Sequence, residues 1–305
     1  MNNYTTSITT LHRWRDYVAL CKPKIVSLIV FTAIVGMFMA TPGMVPLSVL
    51  VFGTTGIALA AASAAAINHV VDYKIDSVMA RTMRRPLPRG NVSIQGAIIF
   101  AFILGTLSML ILTYFVNALT AVLTAVSLIG YGFVYSMYLK RATPQNIVIG
   151  GAAGAAPPVL GWSAVTGTID PNSLLLFLII FAWTPPHFWS LAIYRCKDYA
   201  SVDIPMLPVT HGLQYTRLQI LLYTIVLTVI TVLPFITYMC GPFYLAGALL
   251  LDAGFLYYAI RMIFDKRDRL AMQTFSYSII YLMALFAILL IDHYVPVVSG
   301  LIATI

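Results

Sequence analysis

The chain reads as an all-α integral membrane protein of about nine transmembrane helices, and three observations predict it. Its 305 residues are 60% hydrophobic and 9% charged, with a mean hydropathy of +0.91; a soluble domain carries about a quarter charged residues. Apolar stretches long enough to cross about 30 Å of hydrocarbon recur nine times. Under that nine-span arrangement all 18 Lys and Arg residues fall on, or at the edge of, one side, which the positive-inside rule marks as cytoplasmic. Dropping or adding a span scatters them.

The spans are placed at 25–41, 46–68, 94–116, 118–138, 146–167, 173–194, 217–238, 243–262 and 274–294. The first follows a basic segment (Arg13, Arg15, Lys22, Lys24) that looks like the start of a secretory signal. Phe38, Met39 and Ala40 make a poor cleavage site and more spans follow, so this one is read as a retained helix. The connections at 41–43, 116–117, 167–172 and 240–242 are short and turn-like. On the other side lie 1–24, 69–93, 140–145, 195–216 and 261–273, which hold the long polar loops. Residues 1–305 are therefore expected to form a single membrane domain, with 1–24 a cytoplasmic N-terminal segment and the C-terminus on the opposite side. Chemistry is expected at loops 69–93 and 195–216, in a cavity opening from the cytoplasmic side into the bundle. The net charge of +8 is accounted for by these loops; it calls for a lipid bilayer and no nucleic acid. Cys21, Cys196 and Cys240 share no metal-ligand spacing and give no disulfide framework, so they read as packing residues.

The densest polar stretch is 68–90. Asn68, Asp72 and Asp76 are spaced by four, which turns about 40° per step on an α-helix and lines their side chains along one face. Oxygen donors in such a stripe suit Mg²⁺, which takes a few carboxylates and completes its shell with water and substrate phosphates. Lys74 lies among the acids, and Arg81, Arg84, Arg85 and Arg89 follow directly. Acids for a metal beside bases for a polyanion are what a diphosphate-using site requires. A solvated connector obeying the positive-inside rule would carry similar charges, and the rest of the chain has to decide.

A second constellation closes the sixth span. Lys197 and Asp198 stand at its cytoplasmic end, where Asp198 is placed to face the first stripe; its alternative is an ion pair with Lys197 or Arg195. Asp203, about 140° further round, does not share that face. Pro185 and Pro186 are expected to kink the span and free backbone carbonyls. His187 follows at membrane depth, where a polar side chain is by default a functional candidate; it is read as a haem contact or proton carrier, or as a histidine bonded to a freed carbonyl. Tyr131, Tyr135, Lys140, Arg141 and Asn146 approach the same face, and Gly150, Gly151, Gly154 and Gly161 thin the fifth span for close packing. Asp252 is expected to pair with a tyrosine or an asparagine of a neighbouring helix, and Asp292 and His293 to mark the far interface.

The stripe of Asn68, Asp72 and Asp76 resembles the N-D-x-x-D-x-x-x-D motif of the UbiA-type intramembrane prenyltransferases, with His69 in place of the motif's first aspartate. Further pieces resemble the haem-prenylating branch of that family: Arg81, Thr82, Arg85, Pro86 and Leu87; Asn146, Gly150 and Gly151; Thr184 through the prolines to His187, Phe188 and Trp189; and Pro205, Met206 and Pro208. The opening Asp16 to Lys24 stretch is similar too. The resemblance runs from about residue 16 to 212 in specific motifs and continues as a hydrophobic pattern.

The resemblance implies nine helices around a central cavity, farnesyl diphosphate and haem b as substrates, haem O as product, and Mg²⁺ as cofactor. It places the metal on Asn68, Asp72, Asp76 and Asp198. Arg81, Arg85, Lys140, Lys197 and Lys74 become candidates for the diphosphate, and His187, Trp189 and Tyr135 for haem contact. It further implies a bacterial plasma (inner) membrane setting, with a haem A synthase or terminal oxidase subunits as prospective partners. Two other readings share parts of this pattern. A related prenyltransferase acting on a quinone precursor or another aromatic acceptor would carry the same aspartates, and a transporter would carry polar groups near the bilayer midplane.

Overall fold

The computed structural model describes residues 14–265 and 267–302, so residues 1–13 of the N-terminal segment and Lys266 lie outside the described residues. The described residues are helical and contain no strand. Helices α1 (Trp14–Leu20) and α2 (Pro23–Met39) are bent by 53° at a short break. Pro23 heads α2, where its missing N–H leaves no bond unmade, and Lys22 before it adopts the left-handed conformation, φ 49° and ψ 61°. Counted as one span, this pair joins eight other helices long and apolar enough to cross a membrane, which matches the nine spans read from the sequence.

These are α3 (Leu47–Val71), with the short α4 (Tyr73–Val78) at its end, and α5 (Ile94–Phe115). The fourth span joins α6 (Ala118–Ile129), a π-helix (Gly130–Leu139) and α7 (Lys140–Ala142). The fifth joins α8 (Asn146–Ala155) and α9 (Pro157–Thr166), interrupted where Pro157 and Pro158 lack the N–H that would continue α8. Then come α10 (Pro171–Tyr194), the short α11 (Cys196–Ala200) and α12 (Leu207–Thr210), and the spans α13 (Gly212–Ile236), α14 (Pro242–Phe264) and α15 (Asp268–Ile302).

Helix α10 holds the centre of the bundle and packs on α8, α9, α13 and α15. The helix continues through Pro185 and Pro186. Side-chain hydroxyls bond to carbonyls on either side: Thr184 Oγ1 donates to Ile180 O at 2.8 Å and Ser190 Oγ to Pro186 O at 2.6 Å. Helices α2 and α9 touch backbone to backbone, since a Cβ on Gly36 or Gly161 would run into the main chain at Pro158 or Ala33; small residues are what permit such an approach in a membrane.

At the far face, Asp292 does more than mark an interface. Its carboxylate accepts from Gly241 N at 2.6 Å and Tyr244 N at 2.9 Å, capping the start of α14 from α15. His293 Nε2 meets Thr41 O at 2.9 Å, which ties α15 to the loop after α2. Asp252, in mid-span, accepts from Thr231 Oγ1 at 2.7 Å and from Tyr281 OH at 2.6 Å, as its expected tyrosine pairing required.

Candidate active site

The acidic stripe survives a helix joint. Asp72 sits between α3 and α4 at φ −84° and ψ 0°. The four-residue bonds nevertheless continue across it, from Asp72 N to Asn68 O at 3.0 Å and from Asp76 N to Asp72 O at 2.8 Å. Asn68, Asp72 and Asp76 are all buried, and Asn68 Nδ2 donates to Asp72 Oδ2 at 3.1 Å. The sequence spacing and the folded geometry agree.

Distant elements deliver the counter-charges. Lys140, at the end of the π-helix, places Nζ 2.6 Å from Asp72 Oδ2, and Arg85 places a guanidinium nitrogen 2.6 Å from Asp76 Oδ2. Lys22, in the bend between α1 and α2, donates to Asn68 Oδ1 at 2.6 Å. Burial, and then repulsion by Arg85, lowers the Lys22 ammonium to about 8. Ser136 accepts the other Asn68 contact at 3.1 Å, and its own hydroxyl returns to Tyr131 O at 2.9 Å. Of the Asp72 oxygens, Oδ1 is buried with no hydrogen-bond partner among the described residues.

Beside the stripe opens a cleft of about 650 Å³, lined by Lys22, Lys24, His69, Arg81, Arg84 and Arg85 together with apolar side chains. Among the described residues no acid lines it. Arg81 also stacks its guanidinium over the Tyr199 ring at 5.7 Å. Further into the bundle, Tyr131 and Tyr135 stack at 5.4 Å. Tyr135 lies flat where Gly150 has no side chain, since a Cβ there would strike its ring.

Several expected site residues stand elsewhere. Asp198 does not join the stripe: it pairs with Arg195 at 3.5 Å, and its side chain is 38% exposed. The short helix α11 turns Tyr199 inward instead, into a cluster with Met79 and Ile147. Lys74 and Lys197 are exposed and do not line the cleft, because each points outward from the helix whose neighbours point in. His187 does not reach the cleft either. Its ring is stacked on Trp183 at 4.2 Å and Phe275 at 4.6 Å, and Nδ1 meets Ser278 Oγ at 2.6 Å rather than a freed carbonyl. Trp189 packs edge-on against Tyr223 at 5.3 Å, and its buried Nε1 has no partner among the described residues. Conversely, sequence reasoning passed over Lys22 and Ser136 as site members; the only local signal was the Lys22 and Pro23 pair within the opening motif.

Among the described residues no three His, Cys or Asp side chains cluster as a ready metal cage, so the four-residue ligand set is not assembled here. The donor chemistry still fits Mg²⁺, which binds through one or two carboxylates plus substrate phosphates rather than through an all-protein cage. Asp72 Oδ1 is the orphaned oxygen such an ion would take.

Comparison with known proteins places the chain. It is 57% identical over 290 residues to the "Protoheme IX farnesyltransferase" of Teredinibacter turnerae, covering 95% of this chain and 93% of that one. Its fold matches that of a digeranylgeranylglyceryl phosphate synthase structure with TM-score 0.78 at 17% identity, over 92% of this chain and 99% of that one. A UbiA homolog from Archaeoglobus fulgidus bound to GPP and Mg²⁺ matches with TM-score 0.60 at 16% identity, over 90% and 99% of the two chains. The UbiA prenyltransferase family is matched over residues 29–294, and the chain belongs to that family.

Proposed function

We propose that this chain transfers the farnesyl group of farnesyl diphosphate to a vinyl group of haem b, giving haem O. The observation that carries the reading is an acidic stripe beside a cleft lined by five cations in a chain that is 57% identical, over 95% of its length, to a relative of that printed activity. The membrane domain would sit in a bacterial plasma membrane with the charged rim of loops 69–93 and 195–216 at the cytoplasmic face, where the Lys and Arg residues gather.

The diphosphate sits in the cleft, where Arg81, Arg84 and Arg85 offer planar forks to its oxygens and Lys22 offers a point charge. Mg²⁺ held by Asp72 and Asp76 with the Asn68 amide supplies Lewis-acid neutralisation of the leaving diphosphate when bound. As the allylic C–O bond breaks, its electron pair leaves with the diphosphate, and the guanidinium groups hold that charge. The haem vinyl carbon supplies the electrons for the new C–C bond. Water then adds to the resulting cation and loses a proton, which leaves the hydroxyl of haem O. The stacked Tyr131 and Tyr135 faces lie inward of the stripe, placed to shield an allylic cation. Lys140 and Arg85 balance the carboxylates when no ligand is present. Haem rests on the apolar side of the bundle, with Tyr135, His187 and Trp189 as its candidate contacts.

The test is a reaction of the full-length protein in nanodiscs with haem b, farnesyl diphosphate and Mg²⁺, read by chromatography and mass spectrometry. The expected product is heavier than haem b by one farnesyl group and one hydroxyl, the vinyl having become a hydroxyethylfarnesyl group, and it disappears with EDTA. Farnesylation of a quinone precursor offered in parallel, with no haem product, would overturn the acceptor and keep the site.

A further inference from the structure

His69 follows Asn68 on α3, turned about 100° from it, and it lines the cleft. It is 97% buried, being 3% exposed, and neither ring nitrogen has a hydrogen-bond partner among the described residues. Asp76 Oδ2 is 4.0 Å from Nδ1, beyond hydrogen-bond reach, and Arg85 already engages that oxygen at 2.6 Å. Buried polar side chains are nearly always satisfied, so an imidazole with both nitrogens unpaired requires a reason.

The surroundings indicate what it waits for. Five of the residues lining the same cleft are cations (Lys22, Lys24, Arg81, Arg84 and Arg85) and none is an acid, so the ligand that fits is an anion. In either protonation state an imidazole carries at least one N–H donor. The long cationic side chains that share the cleft with the ring can close on an anionic ligand beside it.

We propose that His69 is a substrate-binding residue that donates a ring N–H to an oxygen of the diphosphate. This rests on the reading of the cleft given above. A fixed, uncharged-capable donor set on a spanning helix would add what the flexible arginines lack: it fixes the rotation of the head group, and with it the direction in which the allylic C–O bond points. The haem propionates are the other oxyanions in the reaction, and the experiment separates the two.

The experiment compares full-length wild type, His69→Leu, His69→Gln and Arg85→Gln in nanodiscs. It measures KM for farnesyl diphosphate and for haem b, and inhibition by inorganic pyrophosphate. His69→Leu is expected to raise KM for farnesyl diphosphate and the pyrophosphate inhibition constant about tenfold, the value of one hydrogen bond to a charged group. The effect falls more on KM than on kcat, and KM for haem stays unchanged. His69→Gln, which keeps an N–H donor, is expected to recover most of the loss, and it remains informative if the leucine variant fails to fold. Pyrophosphate inhibition unchanged in both His69 variants but weakened in Arg85→Gln would overturn the role of His69 and leave the cleft intact. A shift in KM for haem alone would overturn it in favour of a propionate contact. Inhibition unchanged in Arg85→Gln as well would overturn the assignment of the cleft itself.

Discussion

At the scale of single residues, the site is a balance of buried opposite charges. Asp72 and Asp76 are paired with Lys140 and Arg85, and removing one partner of such a pair leaves an uncompensated charge costing about 3–5 kcal/mol. The informative change is therefore the isosteric one. Asp72→Asn keeps shape and hydrogen bonding but removes the carboxylate, and turnover is expected to fall at least about a hundredfold, since Lewis-acid stabilisation is worth several kcal/mol. Because Lys140 loses its counter-charge, thermal stability in detergent is expected to fall by no more than about 3–5 kcal/mol. Product formation at wild-type rates would show that Asp72 holds no metal. Lys74→Gln and Lys197→Gln are expected to stay near wild-type kcat/KM, because both side chains are exposed and off the cleft. The stripe was legible because its spacing is local to one helix. Arg85 and Lys140 were read as candidates at the same face, but their pairing with the carboxylates was not legible, nor was Lys22, 46 residues before Asn68.

At the scale of elements, the π-helix decides which side chains of the fourth span face inward. Its wider turn is rare and often marks functional sites. Here it presents Tyr131, Tyr135 and Ser136 to the site and ends on Lys140, whose N–H bonds back to Tyr135 O. Apolar periodicity predicts a span at this place but cannot separate a π-turn from an α-turn. The ring of Tyr135 occupies the space that Gly150 leaves. Gly150→Leu is accordingly expected to destabilise the protein by about 1–3 kcal/mol through overpacking. It should also lower activity by displacing the tyrosine pair, read as a lower melting temperature together with reduced haem O yield. A variant of wild-type stability would show that α8 can back away from the π-helix. Local geometry likewise sent Asp198 to Arg195: α11 is a single short helix whose inward position falls to Tyr199.

At the scale of the whole molecule, one buried acid far from the chemistry holds the last three spans together. Asp252 joins α13, α14 and α15 through Thr231 and Tyr281, and Tyr244 OH extends the set to Thr231 O at 2.8 Å. Asp252→Ala takes the acceptor from the buried Tyr281 hydroxyl, while Thr231 Oγ1 keeps its bond to Thr228 O at 2.9 Å, and is expected to cost about 1–3 kcal/mol. Replacing the set with apolar residues of similar shape, Asp252→Leu with Thr231→Val and Tyr281→Phe, is expected to restore much of that stability. Melting curves of the two variants check it; a triple variant weaker than Asp252→Ala would make the acid more than a hydrogen-bond node.

The sequence by itself determined the class, the nine spans, the side on which charge collects and the acidic stripe, because hydropathy, loop charge and four-residue spacing act over one helix or one loop. Only the tertiary structure decided which cations meet the carboxylates, that His187 is stacked in the core while His69 lines the cleft, and that Asp198 pairs with Arg195. Those outcomes depend on where helices separated by dozens of residues come to lie and on how each is rotated about its axis. In a bundle where nearly every face is apolar, no hydropathy pattern encodes that rotation; the close contacts at Gly36, Gly150 and Gly161 help to set it.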